Sequence, residues 1–517
     1  MAEQEKQVTL QCWIAVLGTM LGAFMAVLDI QITNSSLRDI TGGIGATIDE
    51  GSWISTSYLI GEIVTIPLTA WLSRIFGVRW YLLGNVILFL GFSTLCGISH
   101  SLAAMIIFRA AQGFTGGVMI PMSLTVLLQY LPKSKQPVGF ALFGMTATLA
   151  PAIGPTIGGY LTDSFGWPMV FYVNFIPGAL MMAAILYAIE AEPINLGRFK
   201  NGDWWGIACM AIGLGSLIAM LEEGQRKDWF GSRFIQGCAL LAAIFIPIFI
   251  LIEWYRDEPF VNLRLLHYRN LWAGSVVTFG MGFALYSSVY LLPLYLQSVQ
   301  GYNAYQTGLT LIWIGLPQLL IFPFVPILMK KFDLRLLVCF GILIFAASCF
   351  MNISMSPDYA GPQFFWPNIV RSLGQPFTIV PLSALATSML SPRESADGSA
   401  IFNIARNIGG SVGIGLVSTI ITRREQFHDF RIGESVTSYS VSTQNSISSI
   451  SARFTTLGAG PEEAMKRAYA AIQHEIQKAA NVMAVNDAFM LIGFCLLLGG
   501  AIVWICKKTE AKAATAH

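Results

Sequence analysis

The sequence predicts an all-α polytopic membrane protein with fourteen spans, two pseudo-repeated six-helix halves and two inserted helices between them. Three observations predict it. Of 517 residues, 55% are hydrophobic and only 12% charged, about half the charged share of a soluble globular chain. Apolar runs of about 20 residues, the length that crosses roughly 30 Å of hydrocarbon, recur fourteen times along the chain. Stretches about 260 residues apart carry the same residues at the same offsets.

In chain order the runs cover 12–35, 51–73, 80–98, 102–128, 138–161, 168–189, 204–221, 234–254, 271–297, 306–329, 334–353, 364–389, 400–421 and 484–506. The first is no cleaved signal peptide: it exceeds 20 residues, contains Asp29 and leads into no small-residue cleavage site. Lysine and arginine concentrate in cytoplasmic loops. With the N-terminus inside, the inner segments hold 17 of them, from Lys6 through Arg198 and Lys200 to Lys512, against 4 in the short outer loops. An even number of spans then leaves both termini cytoplasmic.

The repeat is read from four matches in one order. Leu72, Phe76 and Arg79 match Leu328, Phe332 and Arg335; Pro121, Ser123 and Pro132 match Pro381, Ser383 and Pro392. Arg109 matches Arg371, and Gly139 to Phe143 matches Gly398 to Phe402. The organisation expected is an N-terminal bundle over 1–189, an inserted pair over 190–270 and a C-terminal bundle over 271–517, the last including an outer segment at 423–483. Two repeated bundles that rock about a central site are the architecture of a transporter.

Other classes find little support. A net charge of +2 without a basic, aromatic-interleaved tract gives nucleic acid no footprint. The eight cysteines form no CxxC and read as small buried hydrophobes. The five histidines (His100, His267, His428, His474, His517) share no metal-ligand spacing, and no Walker-type loop is present. No metal, cofactor or enzymatic constellation is expected.

Ionisable side chains inside spans are costly and therefore functional by default. Asp29 lies in the outer half of span 1, Arg109 in the outer half of span 4 and Glu62 near the middle of span 2. Asp29 or Glu62 reads as a group that binds and releases a proton, with Arg109 biasing it; the alternative is a static ion pair that fixes helix register. Arg371 and Arg406 read as structural. Span 5 carries Ala150-Pro-Ala-Ile-Gly154-Pro155-Thr-Ile-Gly158-Gly159, whose glycines admit a close neighbouring helix and whose prolines bend the span. Tyr286 and Tyr290 of span 9 and Gln375 of span 12 suit a roomy pocket for flat lipophilic molecules, whereas Tyr295 and Gln297 read as interface anchors.

The outer segment 423–483 is Ser/Thr-rich from Ser435 to Ser451, and that half is expected to be irregular. A helix is expected from Gly460-Pro461, with Met465, Tyr469, Ile472, Ile476 and Ala479 as one apolar stripe. The stripe either seals the protein's own outer surface or docks another protein.

These motifs resemble the major facilitator superfamily, specifically its 14-span drug:proton antiporters of the EmrB/QacA type, and among them most nearly the EmrB branch. Leu28-Asp29-Ile-Gln-Ile-Thr-Asn34 is similar to the span-1 motif, which gives Asp29 its acidic position and adds Asn34 to the pocket. Leu72 to Arg79 resembles the gating motif, with Arg74, Gly77 and Arg79 at its marked positions. Arg74 stands where the superfamily has aspartate, so the usual acidic latch is not expected to form. Phe108-Arg109-Ala-Ala-Gln112-Gly113 resembles the span-4 motif whose arginine is implicated in proton coupling. Gly154, Pro155, Gly158 and Gly159 resemble the antiporter motif. Asp203-Trp204 and Arg264-Leu-Leu also look like this subfamily, while Arg38 and Ala150 depart from it.

The resemblance implies proton-coupled efflux of lipophilic or amphiphilic compounds from the inner membrane. It also implies an EmrA-like periplasmic adaptor and a TolC-like outer-membrane channel as partners. The alternative is a dedicated exporter of one natural product or siderophore.

Overall fold

The computed structural model describes residues 9–508 apart from 201, 258, 392 and 438, and the side chains at 48, 49, 198 and 200 are also outside it. Lys6, Lys512 and His517, and the side chains of Arg198 and Lys200, therefore lie outside the described residues. Every regular element described is helical.

The first helices are α1 (Leu10–Ser35), α2 (Leu37–Ile44), α3 (Ile48–Phe76), α4 (Val78–Gly97), α5 (Leu102–Gly116) and α6 (Met119–Tyr130). They are followed by α7 (Gln136–Phe165), the short α8 (Met169–Tyr172) and α9 (Phe175–Ala188). A short α10 (Gly197–Lys200) precedes α11 (Trp204–Glu223) and α12 (Arg233–Tyr255). The remainder comprises α13 (Arg269–Ser298), α14 (Ala304–Ile321), α15 (Val325–Met329), α16 (Leu334–Phe350), α17 (Phe365–Thr387), α18 (Ser395–Ser435), α19 (Val441–Thr456) and α20 (Pro461–Ile502).

Among the described residues, eleven helices are long and apolar enough to cross a membrane, counting α5 and α6 as one and α8 with α9 as another. This is a multi-pass membrane protein, but the count stops short of fourteen. The three expected spans outside the eleven are interrupted, short or polar. The run 306–329 divides into α14 and the five-residue α15. The apolar α16 has 17 residues, and α17 carries Asn368, Arg371 and Gln375 among its buried residues.

Local chemistry sets the helix ends. Thr47 and Glu50 close a capping box at the start of α3, and Asn303 and Gln306 do the same for α14, each satisfying two otherwise unpaired backbone N–H groups. Gly77 turns α3 into α4 at φ +74°, a conformation glycine adopts without steric cost. Close helix pairs are built on glycine. A Cβ at Gly113 would strike the Tyr58 carbonyl of α3, and one at Gly409 the Phe279 carbonyl of α13. Such small-residue contacts let backbones approach where lipid offers no hydrophobic drive.

Two expectations about the region 423–483 are corrected. The helix begun in span 13 does not stop near 421 but runs on to Ser435, and the Ser/Thr-rich stretch forms α19. Serine and threonine there satisfy local carbonyls, as Ser449 does with Ser446 and Thr455 with Ser451, so their polarity is compatible with a helix. The helix from Pro461 is present and continues without a break into the membrane-length run. Its buried face is Ala464, Ala468, Ile476 and Ala480, whereas Met465 and Tyr469 are exposed. The expected stripe is thus displaced toward the small alanines. Asp487 of α20 fixes α18, accepting from Arg424 Nε at 2.6 Å and lying 2.8 Å from His428 Nε2.

Candidate functional site

Helices α1, α4, α5 and the turn before α9 converge on one buried polar cluster. Asp29 and Arg109 are both fully buried, and Arg109 Nη1 donates to Asp29 Oδ2 at 2.6 Å. The same Nη1 donates to Gln112 Oε1 at 2.7 Å, and Arg109 Nε donates to the Ile54 carbonyl at 3.3 Å. Asp29 Oδ1 accepts from Asn174 Nδ2 at 2.6 Å and from Gln112 Nε2 at 3.1 Å. Ser93 Oγ accepts from Gln112 at 2.7 Å and Asn174 at 3.2 Å. Tyr58 stacks its ring 4.4 Å from the guanidinium carbon, a cation–π contact that strengthens when desolvated. Three donors converge on the Asp29 carboxylate, which is what a buried charge requires.

Glu62 is buried at a second point, where α3 meets α18. Its Oε1 accepts from Asn407 Nδ2 at 2.9 Å, and Arg406 acts on it electrostatically. The two partners are 345 and 344 residues further along the chain. Sequence analysis paired neither with Glu62, and it read Arg406 as structural. Tyr286 of α13 lies against α18 nearby, its ring packed on Gly410.

The other expected site residues fall as follows. Asn34 accepts from Ser55 Oγ at 2.5 Å. Tyr290 is half-buried on α13, and Gln375 is fully buried, accepting from Gln318 Nε2 at 2.7 Å. Tyr295, read as an interface anchor, is instead fully buried and donates to the Tyr359 carbonyl at 2.7 Å. Helix α7 stays continuous through Pro151 and Pro155. Its glycines face two neighbours: Gly154 and Gly158 pack against Gln31 and Ile32 of α1, and Gly159 against Ala304 and Tyr305 of α14.

In the stretch Leu72 to Arg79, Arg74 makes an ion pair that joins α3 to α18. Arg74 Nη2 lies 3.2 Å from Asp397 Oδ1 of α18, and Arg74 also donates to the carbonyls of Ala70 and Phe260. Arg79 donates to the Ile189 carbonyl at 3.3 Å. In the matching turn between α15 and α16, the Arg335 side chain hydrogen-bonds Asp333 and holds its carboxyl below the ordinary carboxylate range.

Sequence analysis also missed the carboxylates of α11. Glu223 accepts from Ser52 at 3.0 Å and Thr56 at 2.7 Å, both on α3. Trp229 Nε1 meanwhile donates to Thr419 of α18 at 2.9 Å. The end of α11 and the turn after it thus tie α3 to α18. Glu223 ended an apolar run and so read as the start of a loop.

The Major Facilitator Superfamily model matches residues 19–414. The chain belongs to that superfamily. It is therefore a transporter and not an enzyme. It is 32% identical to the colistin resistance protein EmrB of Acinetobacter baumannii over 488 residues, 94% of each chain. It is 31% identical to the multidrug export protein EmrB of Escherichia coli strain K12 over 510 residues, 98% of each. Among solved structures it is similar to the proton:xylose symporter XylE, with a TM-score of 0.59, 14% identity and 97% of each chain covered. At that identity the likeness shows the fold alone.

Proposed function

We propose that this chain expels lipophilic and amphiphilic compounds across the inner membrane in exchange for protons. It would do so in the 14-span arrangement, with a bundle over 1–189, an inserted pair over 190–270 and a bundle over 271–517. Its two EmrB relatives are named for colistin resistance and multidrug export, which supports drugs as cargo. The observation that carries the coupling is the Glu62–Asn407 hydrogen bond. A carboxyl of one bundle is held by a single neutral donor of the other, so adding a proton changes the contact between the bundles directly. Asp29, saturated by Arg109, Gln112 and Asn174, would exchange its proton only when that cluster opens. Arg74–Asp397 would close the cytoplasmic side and separate on inward opening.

The driving force suffices. One proton crossing 100 mV releases about 2.3 kcal/mol, enough for roughly a 50-fold gradient of a neutral substrate. Substrate would lie near Asn34, Tyr286, Tyr290 and Gln375, and the glycines of α7 would be the surface on which the bundles rock. Both termini would be cytoplasmic. The helices beyond 423 would face the periplasm and meet an EmrA-like adaptor, itself joined to a TolC-like channel.

The test is dye transport into inverted vesicles under an imposed pH gradient. Asp29→Asn and Glu62→Gln should each lose gradient-driven accumulation by tenfold or more, and Glu62→Gln should retain gradient-independent exchange. Normal accumulation by both variants would remove the proton assignment.

A further inference from the structure

Helix α17 buries an arginine for which the neighbouring helices supply no counter-charge. Arg371 is 5% exposed, and its Nε and Nη2 have no hydrogen-bond partner among the described residues. No carboxylate among them lies within ion-pair distance of it. A guanidinium keeps its charge in proteins, and an isolated buried charge is far more costly than a paired one. The Phe345 ring, 5.3 Å from the guanidinium carbon, offsets part of that cost but carries no net charge.

Arg371 lines a small, partly open cavity of about 10 Å³ together with the polar Ser288, Ser348, Asn352 and Asn368 and apolar residues that include Leu292 and Phe489. A space of about 10–15 Å³ holds one water-sized body. The comparison within the chain is direct. Arg371 is the repeat counterpart of Arg109, whose charge is met by Asp29 of α1. From α13, the first long helix of the C-terminal set, it is Ser288 that reaches the cavity. The cationic half of the pair is duplicated and the anionic half is not.

We propose that the Arg371 cavity binds one small monovalent anion of the halide class, which supplies in the C-terminal helices the charge that Asp29 supplies in the N-terminal ones. Chloride and bromide are larger than a water and enter only as the walls yield, whereas sulfate, gluconate and organic carboxylates far exceed the cavity. The donors left for the ion are Nε and Nη2 of Arg371 itself, since Ser288, Ser348, Asn352 and Asn368 already donate to backbone carbonyls.

The test compares the melting temperature of the purified full-length protein in chloride, bromide, gluconate and sulfate at matched ionic strength and pH. Chloride and bromide should raise it saturably, whereas gluconate and sulfate should not. Arg371→Gln should abolish the difference, and Ser288→Asp, which builds the missing carboxylate in place, should melt alike in gluconate and chloride. Crystals grown in bromide should show an anomalous peak beside Arg371. Identical melting of the wild type in chloride and gluconate would overturn the proposal and leave a water in the cavity. So would a halide response that survives undiminished in both variants.

Discussion

At Asp29 and Arg109 the energetics separate a structural role from a chemical one. Removing one member of a buried pair strands the other charge, at a cost of about 3–5 kcal/mol, whereas removing both can be nearly neutral. Asp29→Asn should therefore destabilise the protein markedly, because Arg109 has no other carboxylate within reach among the described residues. The double variant Asp29→Asn with Arg109→Gln should recover most of the thermal stability. If the pair serves only to fix helix register, the double variant should also recover transport. If the pair handles protons, it should melt like the wild type and still fail to pump. Melting curves and vesicle transport on the same preparations read both outcomes.

Among the elements, the paired helices beyond the membrane-length runs stand out. Helices α19 and α20 pack through small residues and leave Tyr439, Val441, Leu457 and Tyr469 exposed. If these exposed apolar side chains form one surface, a partner would cover it. A photo-crosslinker at Tyr469 should capture a periplasmic adaptor co-expressed with this chain, while one at the buried Ile476 should not. Purely intramolecular products from Tyr469 would favour a lid. The end of α11 and the turn after it act differently: Glu223 and Trp229 bind α3 and α18 respectively.

For the whole molecule, the decisive contacts are those that join distant parts of the chain, and Arg74–Asp397 is the most accessible to experiment. Reversing one charge, as in Arg74→Asp, should impair transport at least several-fold, and adding Asp397→Arg should restore much of it. Cysteines at both positions, oxidised, should arrest transport reversibly, with activity returning on reduction. Transport unaffected by the oxidised pair would show that the two ends need not separate during the cycle. The half-exposed arginine makes the salt bridge modest in strength.

Much of this was legible without coordinates, because hydrophobic length and charge placement are local properties. The positions of most membrane helices, the start of α20 at Pro461 and the placement of Asp29, Glu62 and Arg109 inside long helices all follow from composition and spacing. Partner identity does not. That Gln112 and Asn174 saturate Asp29, that Asn407 holds Glu62 and that Asp397 answers Arg74 depend on which helix faces which. That choice is made by glycine-scale packing between segments hundreds of residues apart. The Ser/Thr stretch that proved helical shows the same limit from the other side, since its polar side chains turned inward to their own backbone and were then held against α20. Sequence alone determined what kind of molecule this is and where its costly charges lie. Only the tertiary structure decided which of those charges are answered, because pairing is a property of three-dimensional proximity and not of order along the chain.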